Sequence, residues 1–151
     1  MPADGFYEWV EVIPGKTEIL PGGFSVSTDS SYKSNKPYKQ PMYIGLKDGA
    51  PFAFAGLWEF WQSPEGDPLE TCAILTTEPN DLLKDVHNRM PVILSGEDLG
   101  RWIGNGGADQ SLLMDLLRPF PAQEMRMHPV GRGVSNPRLD SPECVAPFFA
   151  G

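Results

Sequence analysis

"GFYEWVEVI", at residues 5–13, alternates its side chains with the period of two that is typical of a β-strand. On a strict alternation, Phe6 and Glu8 lie on one face of this strand, and Tyr7 and Trp9 lie on the other. Two interpretations of Glu8 stay open. A carboxyl group half-buried among aromatic rings suits a general acid or base near neutral pH, because desolvation favours its neutral form. Alternatively, the Glu8 face is the solvent face of an edge strand.

Further apolar runs predict more strands, and they lack the alternation of strands and helices that marks a parallel sheet. The predicted strands lie at residues 41–46, 51–61, 70–78 and 122–130, with a turn at 47–50 and a hairpin turn at 63–68. Residues 15–39 are rich in Gly, Pro, Ser and Lys, which indicates a long surface loop or insertion.

Three short helices are predicted outside the sheet. They cover residues 79–86, 95–104 and 109–117. Asn80 lies near the start of the first, and Ser95, with Asp98 three residues later, is a candidate N-cap for the second. Pro119 stops the third. The expected fold is one α+β domain over residues 1–151, with a curved, mainly antiparallel and barrel-like sheet.

The bulk composition is that of a globular protein of one domain. A chain of this size can bury roughly 70% of the surface that it exposes when unfolded. The net charge of −8 argues against binding phosphates through bulk charge. A local basic groove is still compatible with the sequence, because the cations are clustered. The clusters contain Lys16, Lys33, Lys36 and Lys39 early in the chain and Arg118, Arg126, Arg132 and Arg138 late in it.

The sequence predicts a cytoplasmic protein without a membrane span, a metal or a cofactor. It has no apolar stretch near the roughly 18 residues of a spanning helix and no basic-then-apolar leader. Cys72 and Cys144 are too far apart to suggest a disulfide framework, and Cys144 has no obvious base beside it. His87 and His128 have no Cys or His at the spacing of metal ligands.

"VHNRMPVIL", at residues 86–94, places His87 and Arg89 between a predicted helix and an apolar strand. An imidazole and a guanidinium close together favour an anion, most simply a phosphate. The alternative is that His87 caps the helix and Arg89 pairs with a surface carboxylate. Spacing alone favours this structural alternative.

Other candidates are weaker. Thr76 and Thr77 have hydroxyls for a phosphate, but threonine in a strand more often reflects β propensity. Trp58 and Trp61 are able to stack on bases, although aromatic residues in a strand are more often core. Cys72 is expected to be an inert buried thiol.

Several motifs then occur together in one order. They are "PADGFYEW" at 2–9, "FAFAGLWE" at 52–59, "TCAILTTEPN" at 71–80, "VHNRMPVIL" at 86–94, and "HPV", "PR" and "DSPECV" within 128–145. In order and approximate spacing they resemble the SRAP family, the SOS response-associated peptidases or abasic-site processing proteins. The resemblance covers essentially the whole chain, and Gly-Phe-Tyr-Glu-Trp combined with His-x-Arg-Met-Pro is highly specific.

The resemblance implies a DNA-damage protein that binds single-stranded DNA and shields abasic sites. It implies an N-terminal Cys whose amine and thiol capture the sugar aldehyde as a thiazolidine crosslink. Proton transfer carries over to Glu8, sugar ring opening and crosslink reversal to His87, and phosphate binding to Arg89. Thr76 and Asn88 are further expected DNA-binding positions.

The sequence also departs from the family. In family members a segment with the N-terminal Cys precedes "PADGFYEW", whereas here this motif begins at residue 2. The chain is therefore expected to be an N-terminally truncated SRAP domain that retains the Glu, His and Arg half of the site. Residues 15–39 are longer than the common family linker, and Gly131 stands where a Ser is usual.

Whether such a chain is an enzyme stays open at this stage. The alternatives are a catalytically dead remnant, a weak non-covalent module for single-stranded DNA, and a hydrolase or protease that pairs Cys72 or Cys144 with His87. We expect Glu8 and His87 to face one cleft within about 10 Å of each other, with Arg89 at its rim. We also expect no stable crosslink to an abasic site from this chain alone, because an internal Cys has no free α-amine.

Overall fold

The computed structural model describes residues 1–13, 18–20, 23–26, 36–104 and 110–148, and its elements are mostly short strands. The strands are β1 (Pro2–Ala3), β2 (Phe6–Val12), β3 (Glu18–Leu20), β4 (Phe24–Val26), β5 (Tyr38–Leu46), β6 (Phe52–Phe54), β7 (Gly56–Gln62), β8 (Pro68–Ile74), β9 (Thr76–Thr77), β10 (Met90–Pro91), β11 (Ile93–Leu94) and β12 (Met125–Pro129). The helices are α1 (Glu97–Ile103) and α2 (Gln110–Met114), with 3-10 turns at Ala122–Glu124, Arg132–Ser135 and Pro142–Cys144.

The pairings between these strands are antiparallel, so the predicted α+β fold with a mainly antiparallel sheet is confirmed. In the described part of the chain, two sheets have three strands, in the orders β12–β5–β2 and β1–β6–β11. Three further pairs are β9–β10, β3–β4 and β7–β8. These sheets do not close on themselves, so "barrel-like" applies only loosely.

The central sheet is built on β5, which is buried from Gln40 to Leu46. The strand predicted at residues 5–13 is confirmed as β2, which pairs with β5 from Phe6 opposite Ile44 onwards. The buried amide of Gln40 donates to the carbonyl of Pro41 at 3.0 Å and to that of Val130 at 2.8 Å. Those two bonds remove the cost of burying a polar group in the middle of the sheet.

Two apolar clusters hold the strands together. The larger contains Val12, Leu20, Met42, Ile44, Leu46, Phe52, Phe54, Leu83, Met90, Ile93, Phe120, Met125 and Met127. The smaller contains Ala55, Val92, Leu94 and Leu116, with Trp102 of α1 and Leu113 of α2 packed against it. Each large side chain buried in this way contributes about 1.5–3 kcal/mol to stability. The larger cluster includes Val12 of β2 and Met90 of β10, so it fixes the strand that carries Glu8 and the strand that follows His87 and Arg89.

Two of the predicted strands are each split by a single residue. The strand predicted at 51–61 divides into β6 and β7 at Ala55, and the strand predicted at 70–78 divides into β8 and β9 at Leu75. The Ala55 N–H donates to the Val92 carbonyl, and the Leu75 N–H donates to the Ala55 carbonyl, both at 2.9 Å. The chain changes hydrogen-bonding partner at these residues, from one sheet to the next.

The helix predictions were partly wrong. Residues 79–86 form hydrogen-bonded turns rather than an α-helix, and the side chain of Asn80 accepts bonds from the N–H groups of Leu82 and Leu83. α1 begins at Glu97, and its N-cap is Gly96 instead of Ser95, with φ at 54°. α2 ends at Met114, short of the predicted residue 117, and residue 109 lies outside the described residues.

The structure also tests the predicted hairpin turn, the predicted loop and the residues expected to be buried. The hairpin turn predicted at 63–68 is confirmed, since it joins β7 and β8. The loop predicted at 15–39 falls largely on residues outside the description, although its described parts include the pair β3–β4. Cys72 was expected to be buried but is exposed, and Trp58 and Trp61 are exposed rather than core residues.

Candidate nucleic-acid interface

The best-defined cluster of predicted site residues lies where β9 meets β10. Thr76 pairs with Pro91 and Thr77 with Met90, which brings the preceding turn, with Arg89, alongside β9. The Arg89 Nε donates to the Thr76 Oγ1 at 3.1 Å, and its Nη2 donates to the same oxygen at 3.0 Å and to the Thr76 carbonyl. One edge of the exposed guanidinium is therefore anchored on Thr76, in a single orientation.

His87 is held by the backbone of the same turn. The backbone N–H of His87 donates to the Leu83 carbonyl at 3.0 Å. Its Nδ1 lies 3.1 Å from the Arg89 N–H nitrogen and 2.9 Å from the Arg89 carbonyl oxygen. In one tautomer Nδ1 accepts from the N–H, and in the other, or in the imidazolium, Nδ1–H donates to the carbonyl. Either way Nδ1 is engaged, and the ring itself is exposed.

Asn80 fixes the start of the turn that carries His87. Its side-chain nitrogen donates to the Phe120 carbonyl at 2.7 Å, while its side-chain oxygen accepts from the N–H groups of Leu82 and Leu83, each at 3.1 Å. The Leu83 side chain is fully buried and belongs to the larger apolar cluster. The turn that carries His87 is thus tied to the core at both its first residue and its middle.

The neighbouring candidates are placed differently. The Thr77 hydroxyl donates to the Leu117 carbonyl at 3.4 Å, so it supports the chain after α2. Asn88 is exposed between His87 and Arg89. The structure therefore brings Thr76, His87, Asn88 and Arg89 together within one strand pair and its turn.

Glu8 lies in the central sheet, opposite Met42. It shares its face of β2 with Phe6 and Val10, which pack against the larger apolar cluster, and it is half-buried. The interpretation that this face is a solvent face therefore does not fit. The Phe6 ring contacts the Phe54 ring with centroids 5.8 Å apart, which connects this face of β2 to β6 and, through it, to β11. The predicted convergence of Glu8 and His87 stays a prediction.

The opposite face of the central sheet is occupied by the C-terminal tail. The Tyr7 hydroxyl donates to the Cys144 carbonyl at 3.2 Å, and the His128 Nε2 lies 2.9 Å from the Val145 carbonyl. Burial raises the pKa of Tyr7 above its ordinary value, with a smaller contribution from the Cys144 side chain. These contacts give His128 and Cys144 structural roles on the back of the sheet.

A basic and aromatic cavity that the sequence did not single out lies on this same back face. It is open, measures about 600 Å³ and is lined by Trp9, Lys39, Arg132 and Ser135. The Arg132 guanidinium carbon lies 5.2 Å from the centroid of the Tyr38 ring. Lys39 and Arg132 belong to the early and late clusters of cations, which was the one signal in the sequence that pointed here.

Within the described ranges, no group of three or more His, Cys, Asp and Glu side chains is arranged to hold a metal ion. None of the described helices is long and apolar enough to cross a membrane.

Fold and site together define an α+β protein of antiparallel sheets that presents an anchored Arg–His pair on an exposed turn. Residues 1–137 match the family described as SOS response associated peptidase (SRAP). The chain belongs to this family, as its motifs predicted.

Curated relatives of the chain carry a common description. This chain is 41% identical over 145 residues to "Abasic site processing protein YoqW" of Bacillus subtilis, covering 96% of this chain and 55% of that protein. It is 30% identical over 158 residues to "Abasic site processing protein HMCES" of Mus musculus, covering 96% of this chain and 42% of that protein. The chain thus spans about half the length of the curated relatives it matches.

Solved structures show the same fold. A crystal structure of a protein from Bacteroides thetaiotaomicron superposes with a TM-score of 0.73 at 24% identity, covering 98% of this chain and 55% of that one. One from Bordetella bronchiseptica gives a TM-score of 0.60 at 27% identity, covering 87% of this chain and 53% of that one.

Proposed function

We propose that this chain supplies the DNA-binding and acid–base groups of an abasic-site processing protein that acts on single-stranded DNA. The observation that supports the proposal is the anchored Arg89 beside His87, in a chain whose relatives are described as abasic site processing proteins. An exposed guanidinium beside an imidazole, both on a core-bound turn, suits the binding of a backbone phosphate.

Arg89 is the phosphate-binding residue in this proposal. Thr76 engages the Nε and Nη2 groups, which leaves Nη1 as the guanidinium nitrogen to point at a phosphate oxygen. Thr76 acts through Arg89 as a positioning residue. Asn88 is exposed in the same turn, and its proposed role is a neutral hydrogen bond to the DNA.

His87 and Glu8 are the proposed proton carriers. With Nδ1 engaged by the backbone of Arg89, the His87 Nε2 is the ring atom that exchanges a proton with a sugar oxygen during ring opening. Glu8, half-buried on the core-facing side of β2, is proposed to move the proton of the attacking group. This assignment requires the two side chains to face one cleft.

The crosslink is not assigned to either cysteine of this sequence. A thiazolidine forms when the amine and thiol of one N-terminal Cys both bond to the aldehyde carbon, with loss of one water. Cys72 and Cys144 are internal and have no free α-amine, so neither is proposed as the nucleophile of this reaction.

A Cys/His hydrolase site receives less support from the geometry. Cys72 lies in β8 opposite Trp58, and the Cys144 thiol lies 3.8 Å from the Leu139 carbonyl in the tail behind the central sheet. His87 instead has its Nδ1 on the Arg89 backbone. A weak, non-covalent module for single-stranded DNA is the second candidate, since the exposed Arg89 and Asn88 need no covalent step to contact a phosphate.

The test is binding of a fluorescent single-stranded oligonucleotide with one abasic site, followed by anisotropy. Arg89→Ala is expected to weaken binding by about 10- to 100-fold, because a charge-assisted hydrogen bond is worth about 1.5–3 kcal/mol. It should also lower the slope of log affinity against log salt by about 0.7, the value for one phosphate contact on a single strand.

Arg101→Ala is the matched control. Arg101, like Arg89, is an exposed arginine, but it lies on α1 and its side chain bonds to the Asp98 carboxylate instead of a threonine. It should leave both affinity and salt slope unchanged. Equal losses from the two substitutions would indicate a bulk charge effect, and no loss from Arg89→Ala would overturn the assignment.

A further inference from the structure

The open cavity of about 600 Å³ on the back of the central sheet is formed by three segments of the chain. Trp9 comes from β2 and Lys39 from β5. Arg132 and Ser135 come from the 3-10 turn that follows β12. By the register of β2 and β5, Trp9 and Lys39 lie on one face of the sheet and Glu8 lies on the other. The cavity is therefore separate from the proton carrier proposed on β2.

Backbone bonds hold the segment that carries Arg132 beside β5. The Val130 N–H donates to the Pro41 carbonyl at 3.0 Å, and the buried Gln40 amide donates to the Val130 carbonyl at 2.8 Å. The Arg132 guanidinium carbon lies 5.2 Å from the centroid of the Tyr38 ring, which is the distance of a cation–π contact. A guanidinium that stacks on a ring keeps the N–H groups in its plane for a further partner.

The charge of the cavity favours an anion. Among the described residues, its lining supplies two cations, a hydroxyl and an indole, and no carboxylate. Glu11 lies opposite Lys39 in the strand pair, but in the described part of the chain neither Lys39 nor Arg132 forms an ion pair. An ammonium and a guanidinium at one site suit a phosphate, because both donate charge-assisted hydrogen bonds to its oxygens.

Trp9 indicates what the phosphate is attached to. Its side chain is 39% exposed, and it lines the same cavity as the two cations. An exposed indole stacks on a nucleobase of any sequence, because every base has an aromatic face. The cavity also has the size of a small-molecule site, for which about 300–1,000 Å³ is usual. Base and phosphate together describe a nucleotide.

We propose that this cavity binds a nucleotide unit, with its base stacked on Trp9 and its phosphate between Lys39 and Arg132. The Ser135 hydroxyl adds a neutral hydrogen bond. The unit comes from a free nucleoside monophosphate or from one position of a strand, since both present the same base and phosphate. The inference goes beyond the proposed function and does not rest on it, because the cavity is not lined by residues of the turn that carries Arg89.

Calorimetric titration of this chain with deoxyadenosine monophosphate tests the site. Deoxyadenosine and inorganic phosphate are the comparison probes, and each should bind at least about tenfold more weakly, because each makes only one of the two contacts. The indole N–H signal of Trp9 should shift in the NMR spectrum during the titration. Since neither a strand nor an abasic site is present, failure here is distinct from failure of the proposed function.

A second arm identifies the source of the nucleotide. It uses an Arg89→Ala background, which removes the other proposed phosphate contact, and a strand of four deoxyadenosine nucleotides. A strand that binds more tightly than the monophosphate and is weakened by Lys39→Gln assigns the cavity to a position of a strand. A strand that binds no more tightly assigns it to the free nucleotide. Both results support the site.

Substitutions in the cavity test its geometry. Lys39→Gln and Arg132→Gln should each weaken binding of the monophosphate about tenfold, since each removes a charge-assisted hydrogen bond. Trp9→Leu should weaken it at least about fivefold through the loss of stacking. Arg138→Gln is the matched control, because Arg138 is an exposed arginine of the same late cluster that does not line the cavity. It should have no effect, and circular dichroism checks the fold of each variant.

Three results would overturn the proposal. They are no binding of the monophosphate, binding of inorganic phosphate as tight as that of the monophosphate, and equal losses from Arg132→Gln and Arg138→Gln.

Discussion

Gly5 shows at the scale of one residue why an aromatic motif needs a glycine in front of it. A Cβ atom at Gly5 would lie 2.3 Å from the Tyr43 Cζ and 2.4 Å from its hydroxyl oxygen. Tyr43 has little room to move away, since it is buried and its hydroxyl donates to the Asp4 carbonyl at 2.9 Å. The absence of a side chain lets the tyrosine close over the start of β2.

Gly5→Ala is therefore expected to destabilise the protein by about 1–3 kcal/mol, the usual cost of overpacking. Gly131→Ala is the control, because a Cβ there meets nothing within 4 Å. Urea unfolding, monitored by circular dichroism, gives the free energy of unfolding of each variant. Equal stability of the two variants would show that Tyr43 relaxes freely.

At the scale of an element, the turn over residues 80–87 determines where the His87 ring lies. Its sequence predicts a helix, but the described chain makes only hydrogen-bonded turns before His87. Asn80 begins these turns and also binds the Phe120 carbonyl, so the turn is tied to the chain before β12. The position of the His87 ring therefore depends on a contact 40 residues away in sequence.

Asn80→Ala removes both the cap and the bond to Phe120, so it should cost about 2 kcal/mol of unfolding free energy. Hydrogen exchange at the amides of residues 82–87 should speed up with it. Asp81→Ala is the control, because Asp81 is 87% exposed and pairs with Lys84 at the surface, where an ion pair is worth little. A variant as stable as the control would mean that the cap does not hold the turn.

At the scale of the whole molecule, the buried Tyr43 and the half-buried Tyr7 connect the central sheet to its surroundings. Tyr43 binds the start of β2, and Tyr7 binds the C-terminal tail. Burial raises the pKa of both above the ordinary value of 10.0, and Asp4 adds to the effect on each. Arg126 opposes the shift of Tyr43 in part.

The sign of the resulting pH dependence follows from these shifts. Below pH 10.0 both phenols are neutral in the folded and unfolded chains, so their contribution is fully present. As the pH rises further, the unfolded phenols lose their protons first, and stability falls through the folded pKa values. Urea unfolding at about pH 8 and about pH 11 should show this loss, and Tyr43→Phe should reduce it. An unchanged loss in that variant would exclude Tyr43 as a source.

The sequence by itself determined the fold class, the family and the main strands. Alternation in β2 follows from the two-residue period of a strand, and the β7–β8 hairpin follows from the turn residues at 63–68. His87 and Arg89 were identified by residue type and motif, and these are local properties of the chain. The helix bounds were less predictable. Asn80 is held by the Phe120 carbonyl, 40 residues away, and α1 begins after Gly96, with φ at 54°, rather than after Ser95.

Only the tertiary structure decided what each candidate contacts. Arg89 meets Thr76 because β9 and β10 pair, and the core-facing position of Glu8 depends on Phe6 and Val10 reaching the apolar cluster. The exposure of Cys72, Trp58 and Trp61 ran against their apolar character. Burial is set by what packs against a strand from elsewhere in the fold, and a strand's own sequence does not contain that partner.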